Sequence, residues 1–408
     1  MRRRSHNCRW LRCLALVAGS ALFAPVAFGL ILGGSVAVQP SPPADDPGWA
    51  NVVSPNGSSG VYLGNRWVLT AGHVGAGSVV VGSVAYSVQA GSAIRLRTPD
   101  DSGDTDLLLF RLTADPALPS VAVLVTPLPS HTPVTMIGYG CTRGGAVSYN
   151  FDWVLNGAPT AYTGYLWGSA AKNWGTNTIG GTLADAAGYG YGAVVLYETD
   201  FSNGAAATAN EAQAAVYDSG GGVFAKLGGG WQLAGIMVSI DSYIGQPGST
   251  AVFGNVTHAM ELSTYRPQIE AVRSLSTPYE FWQYLHFRGT ATTSSADPDG
   301  DGFTNLEEYA YGLDPHVKDA ATAAPQVSLV HYGDGSSLTV TYTYNTQATD
   351  LAVVVETSSD LVTWAGGSGV THTVSTTDLG NNVERLVVRD LVTTADDARR
   401  FLRVRLTK

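Results

Sequence analysis

The sequence predicts a mainly β protein, and three observations carry that reading. Of the 408 residues, 45% are hydrophobic and only 14% charged, which excludes a disordered or coiled-coil chain. The 48 glycines, with frequent Asn, Ser and Pro, break the apolar stretches into short runs. Those runs have the length of strands, and the turn residues between them argue for barrels or sandwiches.

The elements follow in chain order. Residues 1–12 carry five arginines and no acid, and no charged residue occurs from Cys13 to Ala44. Residues 14–26 have the apolar character of a secretory signal peptide, and Ala27 and Gly29 are the small residues of a cleavage site after Gly29. An uncleaved membrane anchor is the other reading of the same run. Cleavage leaves 18 basic residues against 33 acidic ones, a poor composition for binding a nucleic-acid backbone. It also leaves Cys141 as the single cysteine. The expected product is therefore secreted or periplasmic, free of a membrane span, and without an intrachain disulfide.

Residues 39–47 form a Pro- and Asp-rich surface stretch. Strand-like runs follow at 60–70, 78–88, 106–112, 134–138, 192–197 and 231–240. Residues 224–227 and 231–240 flank three glycines and read as a hairpin. Helices are expected at 266–275 and 278–287, an acidic cluster at 297–308 and an Ala-rich linker at 319–326. The tail, 327–408, is again strand-like at 338–344, 351–356, 384–389 and 401–406, the last alternating apolar and basic residues.

Three segments carry chemistry. An apolar strand ends in Thr70-Ala-Gly-His73. Asp106 leads another apolar strand. Tyr217-Asp218-Ser219-Gly220-Gly221-Gly222 places a serine in a glycine turn. Attack by a hydroxyl on an acyl carbon needs a base for the serine proton. It also needs a carboxylate to orient the imidazole, and backbone N–H groups for the oxyanion. An α/β-hydrolase elbow is excluded, because it needs glycine two residues before the serine and the histidine last. No His-Glu-x-x-His run is present for zinc.

On these residues, 31–275 resemble the chymotrypsin-like (trypsin-like) serine endopeptidases. Thr70-Ala-Gly-His73 is similar to the family's Thr/Ser-Ala-Ala-His, and Asp218-Ser219-Gly220-Gly221 to its Asp-Ser-Gly-Gly. Val134 to Gly140 and Leu233 to Ile236 resemble two of its strands. The resemblance implies a double β-barrel with the site between the barrels. It assigns His73 as general acid/base, Asp106 as orienting carboxylate and Ser219 as nucleophile, with the N–H groups of Tyr217 and Ser219 as oxyanion donors. Tyr217 stands where the family has glycine. Ile31-Leu-Gly-Gly34 resembles the family's mature amino terminus, which implies an ion pair between the Ile31 ammonium and Asp218, released by export processing at or next to Ile31. Gln213 would form the floor of the specificity pocket, with Ile240 and Ala251 as walls. The implied substrate is a protein or peptide, and catalysis needs no cofactor. A catalytically silent homologue serving as a calcium-dependent binding or adhesion protein is the alternative reading, favoured by Tyr217.

Asp297, Asp299, Asp301, the Phe303 carbonyl, Asn305 and Glu308 occupy the ligand positions of a twelve-residue calcium loop, with Gly302 at its sharp turn. The loop resembles EF-hand-like loops of the dockerin and thrombospondin type 3 kind and implies one structural calcium. Thr304 departs from the usual aliphatic residue. The tail resembles β-sandwich modules of secreted bacterial proteins, which implies a cell-surface or carbohydrate ligand, with Trp364 a candidate sugar platform. The expected organisation is a signal peptide (1–29), a protease domain (30–275), a helix and EF-hand-like segment (276–318), a linker (319–326) and a β-sandwich-like module (327–408).

Overall fold

The computed structural model describes residues 3–5, 29–184 and 192–408, the first three by their backbone alone. The expected signal peptide lies almost wholly outside the described residues. The fold is mainly β, and the chain divides into two compact units, Met1–Arg273 and Ser274–Lys408.

Two large sheets dominate the first unit. One runs in the spatial order Val52–Val53, Gly60–Gly64, Trp67–Ala71, Asp104–Arg111, Ile94–Arg97. The stretch 60–70, expected as one run, is a hairpin. Asn65 and Arg66 both hold positive φ, 50° and 69°, the conformation a two-residue turn between twisted strands requires. Tyr62, Val68, Leu108 and Phe110 fill the core beneath.

The second sheet runs in the order Asn173–Thr178, Pro133–Gly138, Gly222–Leu227, Gly230–Tyr243, Val256–Glu261, Val195–Asp200, Gly181–Ala184. Its core gathers Met136, Tyr197, Val223, Met237 and Ala259. The expected hairpin around Gly228 is present and longer than expected. A further ribbon, Cys141–Tyr149 with Tyr162–Ala170, pairs with Thr250–Val252. Helix α1 (Leu262–Arg273) begins four residues before the expected start, because Leu262, Tyr265, Ile269 and Val272 make a buried stripe at helical spacing. Among the described residues, no helix is long and apolar enough to cross a membrane.

In the second unit, α2 (Pro278–Phe287) starts from a capping box of Thr277 and Glu280 with Pro278 in its first turn. A third helix, α3 (Asn305–Tyr311), starts from a second box, Thr304 with Glu307. Capping accounts for the hydroxyl at Thr304, where an aliphatic residue was expected. Two sheets follow: Gln326–Tyr332, Gly335–Asn345, Val383–Asp390, Thr371–Asp378, and Ala365–Gly366, Ala352–Ser358, Phe401–Thr407. They enclose Val340, Tyr342, Val355 and Val388. The helical segment and the strands share a core in which Tyr279, Trp282, Phe303 and Tyr309 pack with Ala348 and Leu351. Asp350 ties them further, accepting from Tyr309 Oη at 2.5 Å and from Tyr279 N at 3.1 Å. Residues 274–408 thus form one body, where the sequence suggested a segment, a linker and a module. The basic residues of the last strand share one inward acid: Arg403 and Arg405 each donate to Glu356 at 2.8 Å.

Candidate active site

The ladder between Trp67–Ala71 and Asp104–Arg111 puts Ala71 opposite Leu107, and Gly72 N extends it to Asp106 O at 3.0 Å. The chain then leaves the sheet, and His73 turns back onto Asp106. His73 Nδ1 lies 2.7 Å from Asp106 Oδ2, and His73 N donates to Oδ1 at 2.8 Å. A carboxylate only accepts, so in this contact Nδ1 is the donor and Nε2 is left as the ring's acceptor. Asp106 is 7% exposed and the His73 side chain 36%, so the acid is sheltered and the base reachable.

Sequence reading missed a neighbour here. Arg95 Nη2 lies 3.6 Å from Asp106 Oδ1. A Cβ on Gly72 would stand 2.2 Å from that guanidinium. Glycine at position 72, where the family carries alanine, makes the room Arg95 occupies. A glycine in place of that alanine is the only signal the sequence offered.

The serine turn is docked on the first sheet's edge. Ser59 N donates to Ser219 O at 3.0 Å, and the Ser58 and Ser59 hydroxyls donate to Tyr217 O at 3.0 and 2.9 Å. Thr70, three residues before His73, donates to Ser59 O at 2.6 Å. A short chain of hydrogen bonds thus ties the serine turn to the strand that leads to His73. Gly220 is required there: its φ is +87°, and a Cβ would sit 1.9 Å from Ser59 O. Ser219 is half-buried. Among the described residues, neither Ser219 Oγ nor His73 Nε2 has a hydrogen-bond partner, a common state for a site without substrate.

The backbone N–H groups of the turn divide into two sets. Those of Asp218, Gly220 and Gly221 donate to Ala215 O, Met237 O and Asp218 O. Those of Tyr217 and Ser219 have no acceptor among the described residues. Tyr217 reaches this arrangement at φ +73° with its ring 48% exposed, a left-handed conformation that strains a non-glycine residue.

Asp218 is fully buried, and burial pushes its carboxyl up to about 7. It accepts from Gly140 N at 2.8 Å, Ala215 N at 2.9 Å and Leu30 N at 3.3 Å. A Cβ on Gly138 or Gly140 would strike that carboxylate at 2.2 or 2.3 Å. In the uncut chain it is Leu30 N, one residue before the expected Ile31, that meets Asp218. Ile31 instead pairs with Gln213, and Leu32 with Ala212. This antiparallel pairing commits the Ile31 N–H to a ladder position and carries the residue before it to Asp218. Leu30, Ile31 and Leu32 are all buried.

The remaining expected residues are placed as follows. Gln213 is buried, donating to Val256 O at 3.2 Å. Ile240 packs against the core around Met237. Ala251 belongs to a different cluster with Ile31, Cys141 and Phe201, so Ile240 and Ala251 pack into separate parts of the interior. Cys141 is buried, which pushes its thiol up to about 11. In the second unit, Asp297, Asp299 and Asp301 converge, one carboxylate oxygen from each within 4.8 Å of the others. Glu308 is buried, Phe303 packs in the core, and Asn305 donates to Thr292 Oγ1 and Thr293 O. The Arg403 guanidinium lies 4.0 Å over the Trp364 ring, covering one face of the candidate sugar platform.

These features define a class: a mainly β protein in which a His–Asp pair at the end of one sheet lies beside a serine turn of another. Residues 35–160 match the family model described as Trypsin. That stretch includes His73 and Asp106 and ends before Ser219. Among solved structures, the chain is similar to Rv3671c from M. tuberculosis H37Rv in an inactive form, at 15% identity and TM-score 0.35, covering 58% of this chain and 97% of that one. It is similar to the HtrA-type protease AlgW with a decapeptide, at 16% identity and TM-score 0.33, covering 53% and 51%. A mutant of human heparin binding protein gives 14% identity and TM-score 0.36, covering 59% and 96%. No curated protein matches the chain at a significant level.

Proposed function

We propose that the protein is a secreted serine endopeptidase acting through Ser219, His73 and Asp106. The observation that carries this reading is the His73–Asp106 pair beside a serine turn whose two unbonded N–H groups belong to Tyr217 and Ser219. In the reaction, Ser219 Oγ bonds to the carbonyl carbon of a peptide as its proton passes to His73 Nε2. The oxyanion receives the N–H groups of Tyr217 and Ser219. The C–N bond then breaks as His73 returns the proton to the leaving amine. Water, activated by His73, releases the acyl group and restores Ser219.

Processing after Gly29 prepares the site. Leu30 N, which lies 3.3 Å from Asp218 in the uncut chain, then becomes an ammonium and gives that buried carboxylate a cation. In the uncut chain Leu30 holds φ +61°, and cutting the bond before it removes that constraint. A Cβ at Gly29 would lie 2.3 Å from Gly138 O, so only glycine fits at the cut position.

Labelling with a fluorophosphonate tests the reading. The processed protein is expected to label, and Ser219→Ala and His73→Ala to lose labelling. A folded, processed protein that stays unlabelled would move the assignment to a silent homologue.

A further inference from the structure

The peptidase mechanism leaves one sheltered cation unused. The chain has four lysines. Three are exposed, and Lys172 is half-buried beside the half-buried Trp49 and Tyr139. Its Nζ donates to Trp49 O and, at 2.6 Å, to Val52 O. The same nitrogen lies 4.6 Å from the centre of the Trp49 ring and 5.3 Å from that of Tyr139. Two carbonyl oxygens and two aromatic faces all attract a cation. The acid whose charge reaches it is Asp46, which is exposed and already accepts from Gly48 N and Trp49 N at 2.8 and 2.6 Å. Burial therefore pushes the Lys172 ammonium down to about 7. Tyr139, the other titratable group packed against it, is pushed up by burial and stays neutral.

Lys172 joins two segments. Trp49 and Val52 lie at the start of the first sheet. Tyr139 begins a run of three residues whose N–H groups reach the serine turn. Tyr139 N donates to Ser59 Oγ at 2.8 Å, and that hydroxyl donates to Tyr217 O at 2.9 Å. Gly140 N donates to Asp218 Oδ1 at 2.8 Å, and Cys141 N to Val216 O at 3.0 Å. Ala171, the neighbour of Lys172, backs the same run by donating its N–H to Gly140 O at 2.9 Å. The aim of the Tyr217 N–H thus depends on where residues 139–141 are held.

We propose that Lys172 is a positioning residue: its ammonium braces residues 139–141, and through them the serine turn, against Trp49 and Val52, and the brace slackens when that proton is lost. The inference rests on the peptidase reading only for its effect on rate. A neutral amine still has two N–H donors for the two carbonyls. It gives up the attraction of both rings and the charge-assisted part of both hydrogen bonds. The brace therefore weakens with rising pH, whereas His73 must be unprotonated to act as a base. The active pH window is bounded by His73 on its acid side and by Lys172 on its alkaline side.

The brace is tested in the full processed chain carrying Ser219→Ala, with lysine Cε labelled by carbon-13. Lys172→Met identifies the Lys172 resonance. That resonance is expected to titrate near pH 7, with the other lysines staying in their usual range. The amide resonances of Tyr139, Gly140 and Tyr217 are expected to follow it, and to stop doing so in Lys172→Arg, which keeps its charge. In the active chain, ester hydrolysis is expected to fall above neutrality, and Lys172→Arg to remove that fall. Lys172→Met is expected to lower kcat roughly tenfold with KM nearly unchanged. If Lys172→Met does not fold, Lys172→Arg and the titration carry the test. A Lys172 that titrates with the other lysines, turn amides that ignore it, or a pH profile unchanged in Lys172→Arg would overturn the proposal. Turn amides that follow Lys172 in a chain without peptidase activity would support the brace and count against the peptidase reading alone.

Discussion

Asp218 in the first unit and Glu308 in the second are both sealed from solvent, and burial pushes them up to about 7 and about 8. Their surroundings differ. Asp218 accepts three backbone N–H groups, one of them from Leu30. Glu308 accepts none. A fold that builds a cradle of glycines around one carboxylate and leaves the other bare uses them for different ends. Asp218 has backbone partners that include Leu30 N, whereas Glu308 has no partner for either carboxylate oxygen.

The largest expected effect breaks the first half of this comparison. A chain that retains Gly29 keeps Leu30 N as an uncharged amide. It is expected to hydrolyse an ester substrate about 10²–10³-fold more slowly than one starting at Leu30, the scale of losing an oxyanion donor. Equal rates would show that Asp218 needs no ammonium. The second half is sharpened by Glu308→Leu, which removes the bare charge. In chelator this variant is expected to be more stable than the parent by about 1–4 kcal/mol, and calcium should no longer move its Tm. Denaturant unfolding with and without Ca²⁺ reads both.

The pH dependence separates processed from unprocessed chains. With Leu30 N an amide, Asp218 binds its proton more tightly folded than unfolded. Stability is then greatest below the ordinary carboxylate range, falls as pH rises towards about 7, and is flat above. Processing supplies a cation for the ionised form, so the fall should shrink or reverse. Thermal unfolding of both chains between pH 4 and 8 checks the sign.

Much of this site was legible in the sequence, and the gaps have physical reasons. His73, Asp106 and Ser219 sit in motifs whose small flanking residues are forced by close backbone approach, as Gly220 against Ser59 illustrates. The contact of Leu30 N with Asp218 in the uncut chain was not legible, because it follows from how Ile31–Leu32 pairs with Ala212–Gln213. Arg95 was signalled only by Gly72, since its place depends on the space above that glycine. The ribbon Cys141–Tyr149 with Tyr162–Ala170 was missed because burial along it does not alternate cleanly. The join of helix, loop and tail into one unit rests on Asp350 and on aromatic packing distant in sequence.

The smallest expected effect concerns Tyr217. Tyr217→Gly relieves the left-handed strain, worth about 1 kcal/mol. It is expected to raise Tm slightly with activity kept or increased. Lost activity would mean that the exposed ring contacts substrate.

The most direct measurement is the amino-terminal sequence of molecules that a fluorophosphonate has labelled. The account predicts that every labelled molecule starts at Leu30 and carries the probe on Ser219. Labelled molecules that start upstream of Leu30, or that begin downstream and lack it, would contradict it.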